Sequence, residues 1–371
     1  MRDGRFMMAT FHKIGVLTSG GDAPGMNAAI KAVVDKAYEL NINVVGIVGG
    51  YSGLMAEPEP ELEEITPHTV ANIIGQGGTI LYSSRCLEFA TPEGVQKAVR
   101  ACKKVGIDAL ICIGGDGTYG GAYDMTQAGI PCIGIPGTID NDISATDYTI
   151  GFDTALNTTI DLIDHLRDTC ESHARLNVVE VMGRNCGLIA LYAAVASGAV
   201  AVAVPELPFD EEACLKKIRS LRDNPTGHKR SMIVVVSEGM PAVDGRNYGE
   251  YLRERIEKET GVESKYAQFA HVVRGGKPSL KDRFSASEMG VRAVELLVSG
   301  HSAVAMCEID GQVVATDINF VRKTDRMYKN KLKPGDLDGF SEAELDAMKA
   351  MVEKRHEECR RLAELAEAVS L

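Results

Sequence analysis

The stretch Ala109-Leu110-Ile111-Cys112-Ile113-Gly114-Gly115-Asp116-Gly117-Thr118 and its echo Cys132-Ile133-Gly134-Ile135-Pro136-Gly137-Thr138-Ile139-Asp140-Asn141-Asp142 decide how this chain folds. Each opens with a short apolar run of the kind buried on both faces in a parallel sheet, and each breaks into a glycine turn carrying aspartate. Working outward, similar runs at 14–17, 44–48, 178–181, 199–204 and Met232–Ser237 alternate with helical patterns at 24–40, 154–169 and Leu188–Ser197. That alternation predicts an α/β protein: two doubly wound Rossmann-like domains facing across a cleft, with ligands beyond the carboxyl ends of the strands. Residues 341–371 differ, being rich in Glu, Ala, Lys and Arg without Gly or Pro, and are expected to form a C-terminal helical extension. Ser341 with Glu344 makes a capping box. Leu345, Met348, Val352, Cys359, Leu362, Ala366 and Val369 form an apolar stripe interrupted by Arg355, expected to dock on its own subunit rather than on a second copy. Residues 57–64 read as an acidic, proline-bearing loop.

The turns suggest a chemistry. Glycines at a strand end let backbone N–H groups approach phosphate oxygens, while nearby aspartates can hold Mg²⁺ and receive a proton from an attacking hydroxyl. These are the needs of phosphoryl transfer. The earlier turn Gly20-Gly21-Asp22-Ala23-Pro24-Gly25-Met26-Asn27 joins a strand to a helix, where free N–H groups can receive a polyphosphate. Taken singly, such glycines also serve backbone geometry alone, and an Asp-Asn-Asp segment is also a solvated Asx turn. It is the recurrence of glycine turn plus carboxylate that favours function.

Composition narrows the partners. The 371 residues are 45% hydrophobic and 25% charged, enough for two or three domains with substantial cores. A formal charge of −12 argues against nucleic acid or an anionic membrane, so any anionic ligand must be met by locally gathered arginines. No apolar run approaches the roughly 18 to 20 residues of a membrane span and residues 1–13 lack a secretory block, so a cytoplasmic location is expected. Nine cysteines without a C-x-x-C pair indicate reduced structural thiols, with neither a disulfide framework nor a zinc site.

The strings TSGGDAPGMNAAI from Thr18, IGGDGTYGGA from Ile113, GIPGTIDND from Gly134, TDYTIGFDTALNT from Thr146 and VEVMGR from Val179 resemble the bacterial 6-phosphofructokinases nearly letter for letter, over about residues 13–300. The resemblance implies transfer of the γ-phosphate of Mg-ATP to the 1-hydroxyl of fructose 6-phosphate. It implies that Asp140 is the base, assisted by Thr138 and Asp142, that Asp116 holds Mg²⁺, and that Arg85 neutralises the transferring phosphoryl group. Gly21, Tyr51, Cys86, Gly117, Thr118 and Gly121 match the other nucleotide-side positions. Met182, Gly183, Arg184 and Glu238 match sugar-binding positions, and Arg175, Arg274 and Arg283 the grip on the 6-phosphate. Implied domains are a nucleotide-binding one at 1–151 with 282–319, a sugar-phosphate one at 152–281, and the extension at 320–371. A homo-oligomer, commonly a tetramer, is also implied, because in the family some arginines reach the site from a neighbouring subunit.

Departures from the family pattern bear on control and donor. Val273-Arg274-Gly275-Gly276-Lys277-Pro278 stands where the family usually has Gln-Arg-Gly-Gly-Ser-Pro. Lys31, Arg167, Glu206 and Lys229 fit the family's effector site, but Asp35 and the acidic stretch 55–61 oppose an anionic effector, so weak control by ADP or phosphoenolpyruvate is expected. Pyrophosphate users typically carry Asp and Lys where this chain has Gly117 and Gly137, which favours ATP. The alternatives are a pyrophosphate-dependent phosphofructokinase, a different kinase such as an NAD or lipid kinase, and a catalytically silent sugar-phosphate-binding subunit. An NAD or lipid kinase leaves the sugar-side arginines unexplained, and a silent subunit leaves the acids at 116 and 140 unexplained.

Overall fold

The structure is a computed structural model that describes residues 11–224 and 231–370. Its strands are β1 (Lys13–Ser19), β2 (Asn43–Ile47), β3 (Leu62–Ile65), β4 (Ala109–Gly114), β5 (Cys132–Pro136), β6 (Leu176–Val181), β7 (Ala201–Ala203), β8 (Met232–Ser237), β9 (Ser264–Gln268), β10 (Val304–Ile309) and β11 (Gln312–Asp317). Tertiary contacts divide the chain into two units. One comprises residues up to Thr154 with Arg274–Val352, the other Ala155–Val273 with the residues from Glu353 on.

The first unit holds a seven-stranded sheet in the order β11-β10-β5-β4-β1-β2-β3. Its centre is parallel, with Leu17 opposite both Ile47 and Cys112, and Ile113 opposite Ile135. Every residue of β4 and β5 is buried, which is why both read as uninterrupted apolar runs. The two outer pairs, β10–β11 and β2–β3, are antiparallel. Strand β3 corrects the reading of 57–64 as a loop alone. Leu62-Glu63-Glu64-Ile65 pairs with β2 at the sheet's edge, where two exposed glutamates disguise a strand whose Ile65 is buried. Helix Met26–Glu39 packs against helix Leu280–Val298 in the same unit.

The second unit carries a four-stranded parallel sheet, β7-β8-β6-β9. β6 and β8 are wholly buried, and their core is closed by Leu215, Ile218, Leu252 and Ile256 from helices Glu211–Asp223 and Tyr248–Thr260. The terminal helix runs from Glu342 to Ala368. Its capping box forms, with Ser341 N–H on Glu344 Oε2 at 2.8 Å and Glu344 N–H on Ser341 Oγ at 3.3 Å. Within the second unit Cys359, Leu362 and Ala366 are buried, Tyr192 Oη donates to Glu358 Oε1 at 2.9 Å, and Lys217 Nζ donates to Glu367 Oε1 at 2.7 Å. Arg355, expected to interrupt the stripe, is buried with its guanidinium 2.8 Å from Glu358. Val369, past the last helical residue, leaves the stripe and is 43% exposed. No helix among the described residues is long and apolar enough to cross a membrane.

Candidate active site

In the first unit the turns after β1, β4 and β5 lie at the carboxyl ends of neighbouring strands. The last two are joined directly, Gly137 N–H donating to Gly114 O at 3.0 Å. Thr118 Oγ1 donates to Ser19 O at 2.9 Å and ties the β4 turn to the end of β1. Asp116 opens helix Asp116–Gln127, with Oδ1 accepting from Gly117 N–H at 2.6 Å and its side chain 62% exposed. An exposed carboxylate on a glycine turn at a helix N-terminus fits Mg²⁺, a hard cation commonly held by one or two carboxylates together with substrate phosphates. Tyr51 and Gly121 lie beneath this surface. The Tyr51 ring stacks on Phe89 at 4.0 Å, its hydroxyl donates to Thr118 O at 3.0 Å, and a Cβ on Gly121 would stand 2.6 Å from the ring. These two shape the turn after β4 from below. Arg85 is exposed and Cys86 half-buried, while the other eight cysteines are buried. Around Gly117 a Cβ would meet nothing within 4 Å, so its backbone and surroundings admit a side chain.

The turn after β5 is braced from behind. Thr138 N–H donates to Ile150 O at 3.1 Å and Thr149 Oγ1 to Thr138 O at 2.7 Å. Asp282, fully buried, accepts from Gly151 N–H at 2.5 Å, Thr154 N–H at 2.9 Å and Tyr148 Oη at 2.5 Å, holding the returning segment against the helix that carries Arg283. Burial pushes the Asp282 carboxyl up, and the hydrogen bonds from Thr154, Tyr148 and Gly151 oppose that shift. Asp140 N–H lies 3.4 Å from Thr138 Oγ1, and Asn141 turns with φ +48° between the two acids.

Sequence reasoning missed Lys329. Its Nζ lies 2.8 Å from Asp142 Oδ2, 2.8 Å from Asp325 Oδ2 and 3.5 Å from Asp116 Oδ2, and the side chain is 4% exposed. Burial works against its charge, but Asp142, Asp325 and Asp116 together hold its pKa above the usual lysine range. Burial also pushes Asp325 up to about 7, with Lys329 pulling down and Asp142 pushing up. The i,i+4 pair Asp325–Lys329 was visible as a local pattern, but its approach to two turns some 190 to 210 residues earlier was not.

The residues assigned to sugar phosphate fall in both units. In the first, Arg274 Nη1 donates to Asp22 O at 3.1 Å, and a Cβ on Gly21 would stand 2.6 Å from that nitrogen, so glycine at 21 admits the guanidinium over the first turn. Arg283 Nε donates to Pro278 O at 2.7 Å. In the second unit the ends of β6 and β8 bring Met182-Gly183-Arg184 beside Glu238. Glu238 N–H donates to Val181 O at 2.9 Å, Ser237 Oγ to Gly183 O at 2.6 Å, and Gly183 holds φ +130°, a backbone that side-chain-bearing residues rarely adopt. Arg175 pairs with Glu263 at 2.9 Å and draws that carboxyl below its ordinary range.

Of the effector-like residues, Lys31 is ion-paired to Asp35 one turn on, Arg167 donates to Ser197 O, and Glu206 Oε1 accepts from Gly187 N–H at 2.7 Å. Lys229 lies outside the described residues.

Residues 13–297 match the family described as Phosphofructokinase. The ATP-dependent 6-phosphofructokinase of Bacillus velezensis is 48% identical over 306 residues, 82% of this chain and 92% of that one. The enzyme of the same description from Bacillus subtilis is 47% identical over 320 residues, 86% of this chain and 97% of that one. Among solved structures, phosphofructokinase from Saccharomyces cerevisiae superimposes with a TM-score of 0.79 at 28% identity, covering 96% of this chain and 50% of the yeast chain, so this chain spans half of that protein's length. A pyrophosphate-dependent phosphofructokinase from Nitrosospira multiformis, at 22% identity and a TM-score of 0.73 over 83% of this chain and 84% of its own, shares the fold.

Proposed function

This chain belongs to the phosphofructokinase family, and from that premise we propose that it is a glycolytic kinase moving the γ-phosphoryl group of ATP to the 1-hydroxyl of fructose 6-phosphate. The observation that carries the reading is the pair of hydrogen-bonded turns after β4 and β5, which set Asp116 and the Asp140–Asp142 segment side by side. Asp140 accepts the hydroxyl proton as the sugar oxygen attacks the γ-phosphorus. The P–O bond to the β-phosphate breaks as the new one forms, releasing ADP. Thr138 and Asp142 hold the acceptor side of this turn, and Arg85, which is exposed, balances charge spreading over the transferring group. Asp116 would hold Mg²⁺, which when bound would draw charge from the phosphate oxygens. Gly21, Gly117 and Thr118 offer close backbone approach to the nucleotide, with Tyr51, Cys86 and Gly121 behind them.

For the sugar we assign Met182, Gly183, Arg184 and Glu238, and for its 6-phosphate Arg175, Arg274 and Arg283, whose planar forks suit phosphate oxygens. A homo-oligomer, with a tetramer favoured, goes with this reading, and Leu280 and Phe284, 84% and 64% exposed one turn apart beside Arg283, support a covered face there. A cytoplasmic location follows from the glycolytic role. ATP is the donor because relatives of that description share nearly half of the sequence and because the space at Gly117 is open. A coupled assay of fructose 6-phosphate with either donor tests this. ATP should support turnover at least about a hundredfold more efficiently than pyrophosphate, each 1.4 kcal/mol of discrimination being tenfold; comparable turnover with pyrophosphate would overturn the donor assignment.

A further inference from the structure

Lys329 sits where a cation would sit. An ammonium group has three N–H donors, and here three carboxylate oxygens surround it: Asp325 Oδ2 at 2.8 Å, Asp142 Oδ2 at 2.8 Å and Asp116 Oδ2 at 3.5 Å. The three acids differ in exposure. Asp325 is 4% exposed on the same helix end and anchors the lysine, Asp142 is 13% exposed, and Asp116 is 62% exposed and faces outward. A buried lysine is costly unless paired, and here its pairing reaches into the turns that the proposed reaction uses. The ammonium therefore lies within ion-pair distance of the one carboxylate assigned to the metal, and a divalent ion arriving alone at Asp116 meets a fixed positive charge. An ion arriving on a polyphosphate brings its own compensating oxygens.

We propose that Lys329 is a positioning residue, an internal counter-ion that occupies the cation position between Asp116 and Asp142 in the nucleotide-free protein, so that the divalent ion enters with the nucleotide rather than before it. Asp325 fixes the ammonium from behind, and the lysine in turn fixes the Asp142 carboxylate. The inference rests on the assignment of Asp116 to the metal but not on which sugar or donor is used.

The test is Mn²⁺ binding to the full chain without substrates, followed by the paramagnetic signal of the free ion. Lys329→Met should bind Mn²⁺ at least about tenfold more tightly than the unmodified protein, a change of 1.4 kcal/mol. Lys329→Arg, which keeps the charge, should bind it as the unmodified protein does. With ATP present, the difference between Lys329→Met and the unmodified protein should shrink to less than threefold. If Lys329→Met does not fold because Asp325 is left buried and unpaired, Lys329→Met combined with Asp325→Asn removes that charge and should show the same gain. Equal Mn²⁺ affinity in the folded methionine variant and the unmodified protein, or an equal gain in Lys329→Arg, would overturn the proposal. Failure of sugar phosphorylation with the Mn²⁺ result intact would count against the kinase reading alone.

Discussion

The ends of β4 and β5 in the first unit and the ends of β6 and β8 in the second are built from the same parts, buried parallel strands breaking into glycine turns, yet they carry different side chains. The first pair presents Asp116, Asp140 and Asp142 with a buried lysine among them. The second presents Glu238 and Arg184 on a tight backbone: Ser237 Oγ on Gly183 O at 2.6 Å, and Gly239 so close that a Cβ there would stand 2.4 Å from Arg184 O. A shared strand-end geometry thus supports two jobs. On the proposed reading, the acids that move a proton and hold the metal lie at the strand ends of the first unit, and the strand ends of the second unit serve binding. Substitution of the acids at the ends of β4 and β5 should fall on kcat, and of the residues at the ends of β6 and β8 on KM.

The largest effect is expected at the base. Asp140→Asn should lower kcat by roughly 10²- to 10⁴-fold, the range for loss of a general base, with KM for fructose 6-phosphate nearly unchanged. Steady-state kinetics showing more than a tenth of the original turnover would remove Asp140 from that role. Next is Gly117→Asp. Because nothing lies within 4 Å of its Cβ position, the variant should fold normally, and the added carboxylate should repel the nucleotide phosphates and cut kcat/KM for ATP by more than about tenfold. A normal melting curve with unchanged ATP efficiency would show that the open space is not used by the donor.

In the second unit, Glu238→Gln should raise KM for the sugar phosphate about 10-fold while leaving kcat within a few-fold, as expected when one hydrogen bond to a charged group is weakened. A kcat loss as large as that of Asp140→Asn would erase the contrast between the two units. The smallest effect on chemistry belongs to the tail. Removing residues 353–371 strips buried Cys359, Leu362 and Ala366 from the second unit, so Tm should fall, by about 2 °C or more for each kcal/mol lost, with the first unit's carboxylates in place. Unchanged Tm would show the helix to be dispensable.

Much of this was legible in the sequence, for a physical reason. β4 and β5 are buried on both faces, so their apolar runs stand out, and the turns behind them carry their chemistry within a few residues. The helix Leu188–Ser197 and the strand Met232–Ser237 have the bounds that their patterns predict. What escaped reading is short or distant. β3 hides as an edge strand with Glu63 and Glu64 facing solvent, and β10 and β11 form an antiparallel pair whose β11 is only partly covered. Lys329 escaped because its partners Asp116 and Asp142 are set by packing of the helix Ile318–Tyr328 on the helix Asp116–Gln127, which no local periodicity encodes. Asp282 escaped likewise, as an acid beside the recognised Arg283 whose hydrogen bonds all reach back to residues 148–154 or to Ser279.

The most direct measurement follows the transferred group itself. Incubating the unmodified protein with fructose 6-phosphate and γ-labelled ATP should place the label on the sugar's 1-position with stoichiometric ADP, and the same incubation with Asp140→Asn should do so at least about 100-fold more slowly. Label retained on ATP or released as inorganic phosphate, or a full rate in the variant, would contradict the assignment of phosphoryl transfer to the turns after β4 and β5.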